Sequence, residues 1–321
     1  MKLKTRLTDL LELEHPIVLA PMARVAGGRL AAAVSDAGGL GLIGGGYCEP
    51  EWIGAEFDEA GEADVGIGFI TWRLDQAPGI LDLALERRPR AVLLSFGDIA
   101  PYAERIKSAG SVLIAQIQTL AQAVAARAAG ADVIVAQGAE AGGHAGHRST
   151  LPLVPAVVDR VAPVPVIAAG GIGEGRGVAA ALVLGAAGAM LGSRFYTCRE
   201  ALAHANAKQR AIEAGGDDTV RSRVFDRLRR WNWPAGYALR TLANDMTRRW
   251  TDDPGALADE FEREINAFDA AIEVGDMRIA PVIIGEAADL IGDLRGAGEL
   301  VHSLVDDAAA RLEAAADVLQ S

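Results

Sequence analysis

The sequence predicts a (β/α)8 barrel, the TIM-barrel architecture, with an additional helical domain near its C-terminus. Three observations carry that expectation. Eight short apolar runs recur between residues 17 and 192. They are mostly continuous rather than alternating, as expected of parallel strands buried on both faces. Ala-rich helical patterns fill most of the intervals, and a doubly wound open sheet would have fewer strands and a Gly-rich first turn.

The runs follow in order. IVLA (17–20) comes first, and the helical pattern GRLAAAVSDAG leads from it to LGLIG (40–44). VGIGFI (65–70), AVLLS (91–95) and VLIAQ (112–116) are the third, fourth and fifth, and TLAQAVAARAAG then leads to DVIVAQ (132–137). PVIAA (165–169) is the seventh, and GRGVAAALVLGAAG precedes GAMLG (188–192), the eighth. Each of these three helical patterns ends in Gly, which suits a left-handed C-terminal cap. After Ser193 the pattern changes. Residues 200–275 are richer in charge and Trp, and RVFDRLRRWNWPAGYALRTLANDMTRRW reads as helices interrupted at Pro234 and Gly236, with no convincing strand. Trp231, Trp233 and Trp250 read as inter-domain packing. The tail restores a helical pattern that would close the outer ring. The expected units are a barrel over 1–199, a helical domain on the substrate side over 200–278, and C-terminal helices over 279–321 that return to the barrel.

Composition bounds the function. A formal charge of −12 and a pI near 4.9 exclude a nucleic-acid footprint, which needs clustered Lys and Arg. Cys48 and Cys198 form no CxxC or disulfide framework, which fits a reducing cytosol and packing roles. The N-terminus shows no signal-peptide pattern, and no apolar run reaches about 18 residues. A cytoplasmic protein without a membrane span is expected, with small molecules as partners.

In this architecture chemistry collects where strands end at the C-terminal face. Those positions hold Ala20, Pro21 and Met22, then Gly68, Gln116, Gln137, Gly170 with Gly171, and Gly192 with Ser193. The two amides can donate and accept toward the polar edge of a flat heteroaromatic ring such as a flavin's pyrimidine. AAGGIGEGRG (168–177) and MLGSR (190–194) follow the seventh and eighth runs, where barrels often bind phosphate through loop N–H groups. QGAEAGGHAGHR (137–148) places two of only five histidines among glycines, on the long loop after the sixth run. A neutral imidazole at His144 can accept a proton or hydrogen-bond a developing anion. The alternatives are a solvated loop histidine or a metal ligand paired with His147, but a metal needs a third ligand and Glu140 is the only local carboxylate, so no metal site is assigned. His147 is expected at the surface or behind the site.

These segments, PIVLAPM, AVSDAGGLGLIGGG, VIVAQGAEAGGHAG, LVPAVVD, PVIAAGGIGEGRGVAAALVLGAAGAMLGSRF and TVRSRVFD, together resemble the nitronate monooxygenase family, formerly called 2-nitropropane dioxygenases. The resemblance runs from about Leu10 to the C-terminal helices. It implies an FMN-dependent barrel that oxidises alkyl nitronates with O2 to carbonyl compounds and nitrite, with a homodimer as the allowed assembly. His144 would be the catalytic histidine. Ala20, Pro21, Met22, Gly68, Gln116, Gln137, Gly142, Gly143, Gly170, Gly171, Met190, Leu191, Gly192 and Ser193 would hold FMN, with Met22 against the isoalloxazine. One departure stands out. Many relatives carry GVN after the third strand, with the Asn on the flavin, whereas GIGF places Gly68 there; that contact is lost or made by backbone, and Phe69 and Trp72 would narrow the substrate space. The same histidine motif occurs in FMN-dependent enoyl-acyl-carrier-protein and quinone reductases that use NAD(P)H. A non-enzymatic flavin-binding sensor is the third alternative.

Overall fold

The structure, a computed structural model, describes residues 3–317. Each of the eight apolar runs forms a strand. These are β1 (Ile17–Leu19), β2 (Leu42–Gly44), β3 (Gly66–Ile70), β4 (Ala91–Ser95), β5 (Val112–Ile117), β6 (Val133–Gln137), β8 (Val166–Ala169) and β9 (Gly188–Leu191), with one short extra strand, β7 (Gly143–Ala145), between the sixth and seventh runs. The eight pair in parallel in the order β1-β9-β8-β6-β5-β4-β3-β2. The Leu19 amide donates to the Leu40 carbonyl and the Leu40 amide to that of Ile17, both at 2.9 Å, which joins the two edges into a barrel.

Strands that look uniformly apolar are split by the pleat between two cores. Val18, Leu93, Val135, Ile167 and Met190 fill the barrel interior. Ile17, Leu19, Leu94, Ala136 and Leu191 face the surrounding helices. Helix Arg6–Leu10, capped by Thr5, plugs the N-terminal end of the barrel with Leu7 and Leu11. At about 1.5–3 kcal/mol for each fully buried leucine, this closure is a substantial stabiliser. Helix Ala297–Asp317 completes the outer ring. Its Leu300, Val301, Leu304 and Ala308 pack with Leu30 and Val34 of helix Gly28–Asp36 and Val178 of helix Gly175–Val183. The approach is so close that a Cβ on Gly175 would lie 2.5 Å from that of Asp307.

Two of the glycine caps fall where expected, at Gly38 (φ +84°) and Gly130 (φ +87°). In the third pattern the left-handed residue is Gly185 (φ +91°), and the terminal Gly188 is instead the first residue of β9. Cys48 and Cys198 are free and buried in the outer core. Among the described residues no helix is long and apolar enough to cross a membrane.

Residues 200–275 depart from the expectation of helices alone. They contain β10 (Thr219–Ser222) and β11 (Ala238–Leu242), which pair antiparallel with each other, and β11 pairs with β7. Both strands are short and draw their hydrogen bonds from sequence-distant partners, so no local periodicity announced them. The helices Val224–Leu228, Asp245–Trp250 and Phe261–Val274 share a small core with β11, built from Phe225, Leu239, Met246, Trp250 and Phe268. The sheet thereby ties this region to the barrel at the segment that carries His144.

Candidate active site

His144 lies in β7, paired across to Leu239, rather than on an unstructured loop. It is 7% exposed. Its Nε2 lies 2.9 Å from Oδ1 of Asp226, itself buried in helix Val224–Leu228. That short helix also sets the next turn, because the Trp231 amide donates to the Asp226 carbonyl at 2.8 Å. The Arg223 guanidinium donates to the Trp233 carbonyl at 2.5 Å. As a result the Trp233 indole lies face to face on the His144 imidazole, with ring centroids 3.4 Å apart and planes 12° from parallel. Phe96 meets His144 edge-on at 6.4 Å.

Burial drives the His144 pKa below the ordinary histidine value of 6.5, the Asp226 hydrogen bond and charge oppose that shift, and the Arg229 and Arg223 charges reinforce it. The imidazole is therefore held neutral under ordinary conditions. A carboxylate at Nε2 can only accept, so the neutral ring carries its proton on Nε2 and leaves Nδ1 as the acceptor.

The amides lie beside this pair at the same end of the barrel. Gln116 Nε2 donates to Gln137 Oε1 at 3.3 Å and Gln118 Nε2 to the same oxygen at 2.8 Å, while Gln137 Nε2 donates to the His144 carbonyl at 3.1 Å. Gln137 thus braces its neighbours, and Gln116 is the half-buried member of the set. Gln118, which the sequence reading passed over, is buried and its Oε1 has no protein partner.

The glycine-rich edge is built by packing as much as by chain freedom. Gly170 and Gly171 both have positive φ, +97° and +72°. Glu140 accepts from the Thr150 amide at 3.0 Å, and the Thr150 hydroxyl lies 2.9 Å from the Gly170 carbonyl, so the carboxylate pins this turn. Ser193 Oγ accepts from the Gly285 amide at 2.8 Å. A Cβ on Gly142 would sit 2.5 Å from the Ile284 carbonyl carbon, so this glycine allows close chain crossing. Gly143 belongs to β7. Met190 and Leu191 are buried in the two cores, which leaves their backbone, with Gly192 and Ser193, for any ligand. Ala20, Pro21 and Met22 are half-buried, and the site for a Gly192 Cβ is 3.7 Å from the Met22 sulfur. His147 is exposed. Among the described residues no three His, Cys, Asp or Glu side chains group to hold a metal ion.

Gly68 is covered by Pro21, whose Cγ would lie 2.3 Å from an added Cβ. An Asn side chain at this position does not fit unless Pro21 moves. Gly68→Asn is expected to cost about 1–3 kcal/mol, as overpacking in a buried site does. Thermal denaturation checks this; an unchanged melting temperature would show that the 20–22 turn yields freely.

Sequence reasoning missed Asp226 and did not foresee that Trp233 lies on His144. Trp250 packs in the small core of the added region, within that unit and not, as expected, between it and the barrel. Trp231 and Trp233 do pack against the barrel, where with Tyr47, Trp72, Phe96 and Tyr237 they form a wall next to His144. The RVFD segment was visible in the sequence, but nothing local says that its carboxylate meets a histidine on another strand.

A family model described as nitronate monooxygenase matches residues 4–64 and 73–307. A nitronate monooxygenase of Metarhizium robertsii is 35% identical over 93% of this chain and 92% of its own length. A (3aS,4S,5R,7aS)-5-hydroxy-7a-methyl-1-oxo-octahydro-1H-indene-4-carboxyl-CoA dehydrogenase of Mycobacterium tuberculosis is 32% identical, covering 100% of both chains. Among solved structures, FabK from Thermotoga maritima superposes with a TM-score of 0.87 at 30% identity, covering 98% of this chain and 99% of that one. The family match omits residues 65–72, which hold β3 and Trp72. With the family model spanning nearly the whole barrel and its added sheet, the chain belongs to the nitronate monooxygenase family of oxidoreductases.

Proposed function

We propose that this protein is an FMN-dependent nitronate monooxygenase that oxidises alkyl nitronates with O2 to carbonyl compounds and nitrite. The observation that carries the reading is the buried His144–Asp226 pair beside the amide cluster at the C-terminal end of the barrel. The residues present fit FMN. Gly170, Gly171, Gly192 and Ser193 offer small, at least partly exposed backbone for a phosphate, a barrel edge suited to that group. Gln116 and the unpartnered Oε1 of Gln118 supply polar atoms for the ring edge, and Ala20, Pro21 and Met22 supply an apolar face. Bound FMN would supply electron acceptance from the nitronate and onward reaction with O2.

The chain's own part is positioning and proton transfer. Asp226 holds Nε2–H, so Nδ1 of His144 is free to take the α-proton of a neutral nitroalkane. With a nitronate that proton is already gone, and the same imidazole orients the anion. The nearby Arg223 and Arg229 charges, which already bear on His144, favour an anionic substrate in a protein whose overall charge is −12.

A second reading is an NAD(P)H-dependent reductase, favoured by the close superposition on FabK and by the indene-carboxyl-CoA dehydrogenase relative. Purified protein is expected to be yellow, with one non-covalent FMN per chain released by heat; colourless protein that cannot be reconstituted with FMN defeats both enzyme readings. Anaerobic addition of ethyl nitronate or propionate 3-nitronate separates them. The nitronate itself is expected to bleach the flavin. Rapid bleaching by NADH with none by either nitronate would install the reductase instead.

A further inference from the structure

We infer that Trp233 sets the size of substrate this site accepts, admitting short alkyl nitronates and excluding long chains, an inference that rests on the nitronate reading and narrows its substrate class. Rings 3.4 Å apart leave no layer between them, so one face of His144 is closed by the indole. The Nε2 edge is taken by Asp226, and Phe96 stands edge-on from another direction. A reacting carbon must therefore reach Nδ1 by the remaining edge, or Trp233 must swing aside.

The indole is itself hemmed in. Trp233 is 2% exposed; Phe96 meets it at 5.0 Å and Trp72 at 5.5 Å, both near-perpendicular. Behind them Trp231 stacks on Tyr47 at 4.5 Å, with the Arg73 guanidinium 4.5 Å from the Trp231 ring centre. A long chain extending from the reacting carbon would run into this wall. The wall is also held at a conformational cost. Phe96 has φ +63°, the left-handed region that a bulky side chain rarely enters, and such positions persist where the surrounding structure demands them.

The test uses Trp233→Ala and Trp233→Phe in the protein as purified, with two readouts. The first is kcat/KM over a series of n-alkyl nitronates from ethyl to octyl. Wild type is expected to lose activity steadily with length, and Trp233→Ala to improve the octyl-to-ethyl ratio by at least about tenfold, in line with the 10–200-fold worth of one methylene in a fitted pocket. Trp233→Phe should lie between. The second readout needs no turnover: carbethoxylation of His144 by diethyl pyrocarbonate, followed by mass spectrometry with exposed His147 as internal reference. His144 should react slowly in wild type and about tenfold or more faster in Trp233→Ala, with His147 unchanged. An unchanged length profile, or equal His144 labelling in wild type and Trp233→Ala, overturns the inference. If no nitronate is oxidised by any form while the labelling still rises, the substrate class falls and with it the size limit on nitronates; the labelling then speaks only for the cover over His144.

Discussion

His144→Ala is expected to lower turnover of a neutral nitroalkane by about 10²–10⁴-fold, the usual contribution of a positioned general base, while FMN stays bound. The two effects separate because the imidazole packs on Trp233 and Asp226, whereas the residues proposed for the phosphate lie on the turns at Gly170–Gly171 and Gly192–Ser193. With a preformed nitronate the loss should be smaller, since no α-proton has to be removed. Steady-state rates on both substrate forms, beside the flavin content of each preparation, make the comparison. Full activity of the variant on both forms would remove His144 from the chemistry, and a crippled His147→Ala enzyme would show that the wrong histidine had been chosen.

Asp226→Ala is expected to have the next largest effect, about 10–100-fold on the neutral nitroalkane, because it strands a buried Nε2–H at a cost of about 1–3 kcal/mol and frees the ring to change tautomer. The pH dependence carries a definite sign. Only the neutral imidazole accepts a proton, so kcat/KM should fall as pH drops through the His144 pKa, which burial places below 6.5. Wild-type activity should therefore persist to more acidic pH than an exposed histidine would allow. The Asp226 carboxylate is what raises that pKa against burial, so in Asp226→Asn the acid limb should move to still lower pH even as the plateau falls. A tautomer measurement by nitrogen NMR on His144 gives a second reading without substrate. A pH profile and tautomer identical to wild type would reduce Asp226 to a packing residue.

The barrel was legible because its cause is local. Buried parallel strands must be short and apolar, each helix between them needs a cap, and eight repetitions leave little else for runs such as AVLLS (91–95) and DVIVAQ (132–137) to become. The strand-end residues followed for the same reason: once the runs are strands, Gln116, Gln137 and Gly170 stand at their C-terminal ends.

What the sequence by itself determined was thus the eight-stranded frame and the family resemblance, with His144 as the candidate that the resemblance singles out. Only the tertiary structure decided what surrounds that histidine. Strand β7 exists because β11, nearly a hundred residues further along, supplies its hydrogen bonds, and the pairing brings Asp226 and Trp233 onto the imidazole. It also showed Pro21 filling the space beside Gly68. Periodicity reports how a segment meets its immediate environment, and a carboxylate and an indole on a charged, irregular stretch have no period. Their partner is chosen by antiparallel pairing between distant segments and by the packing it permits, which is a property of the whole chain.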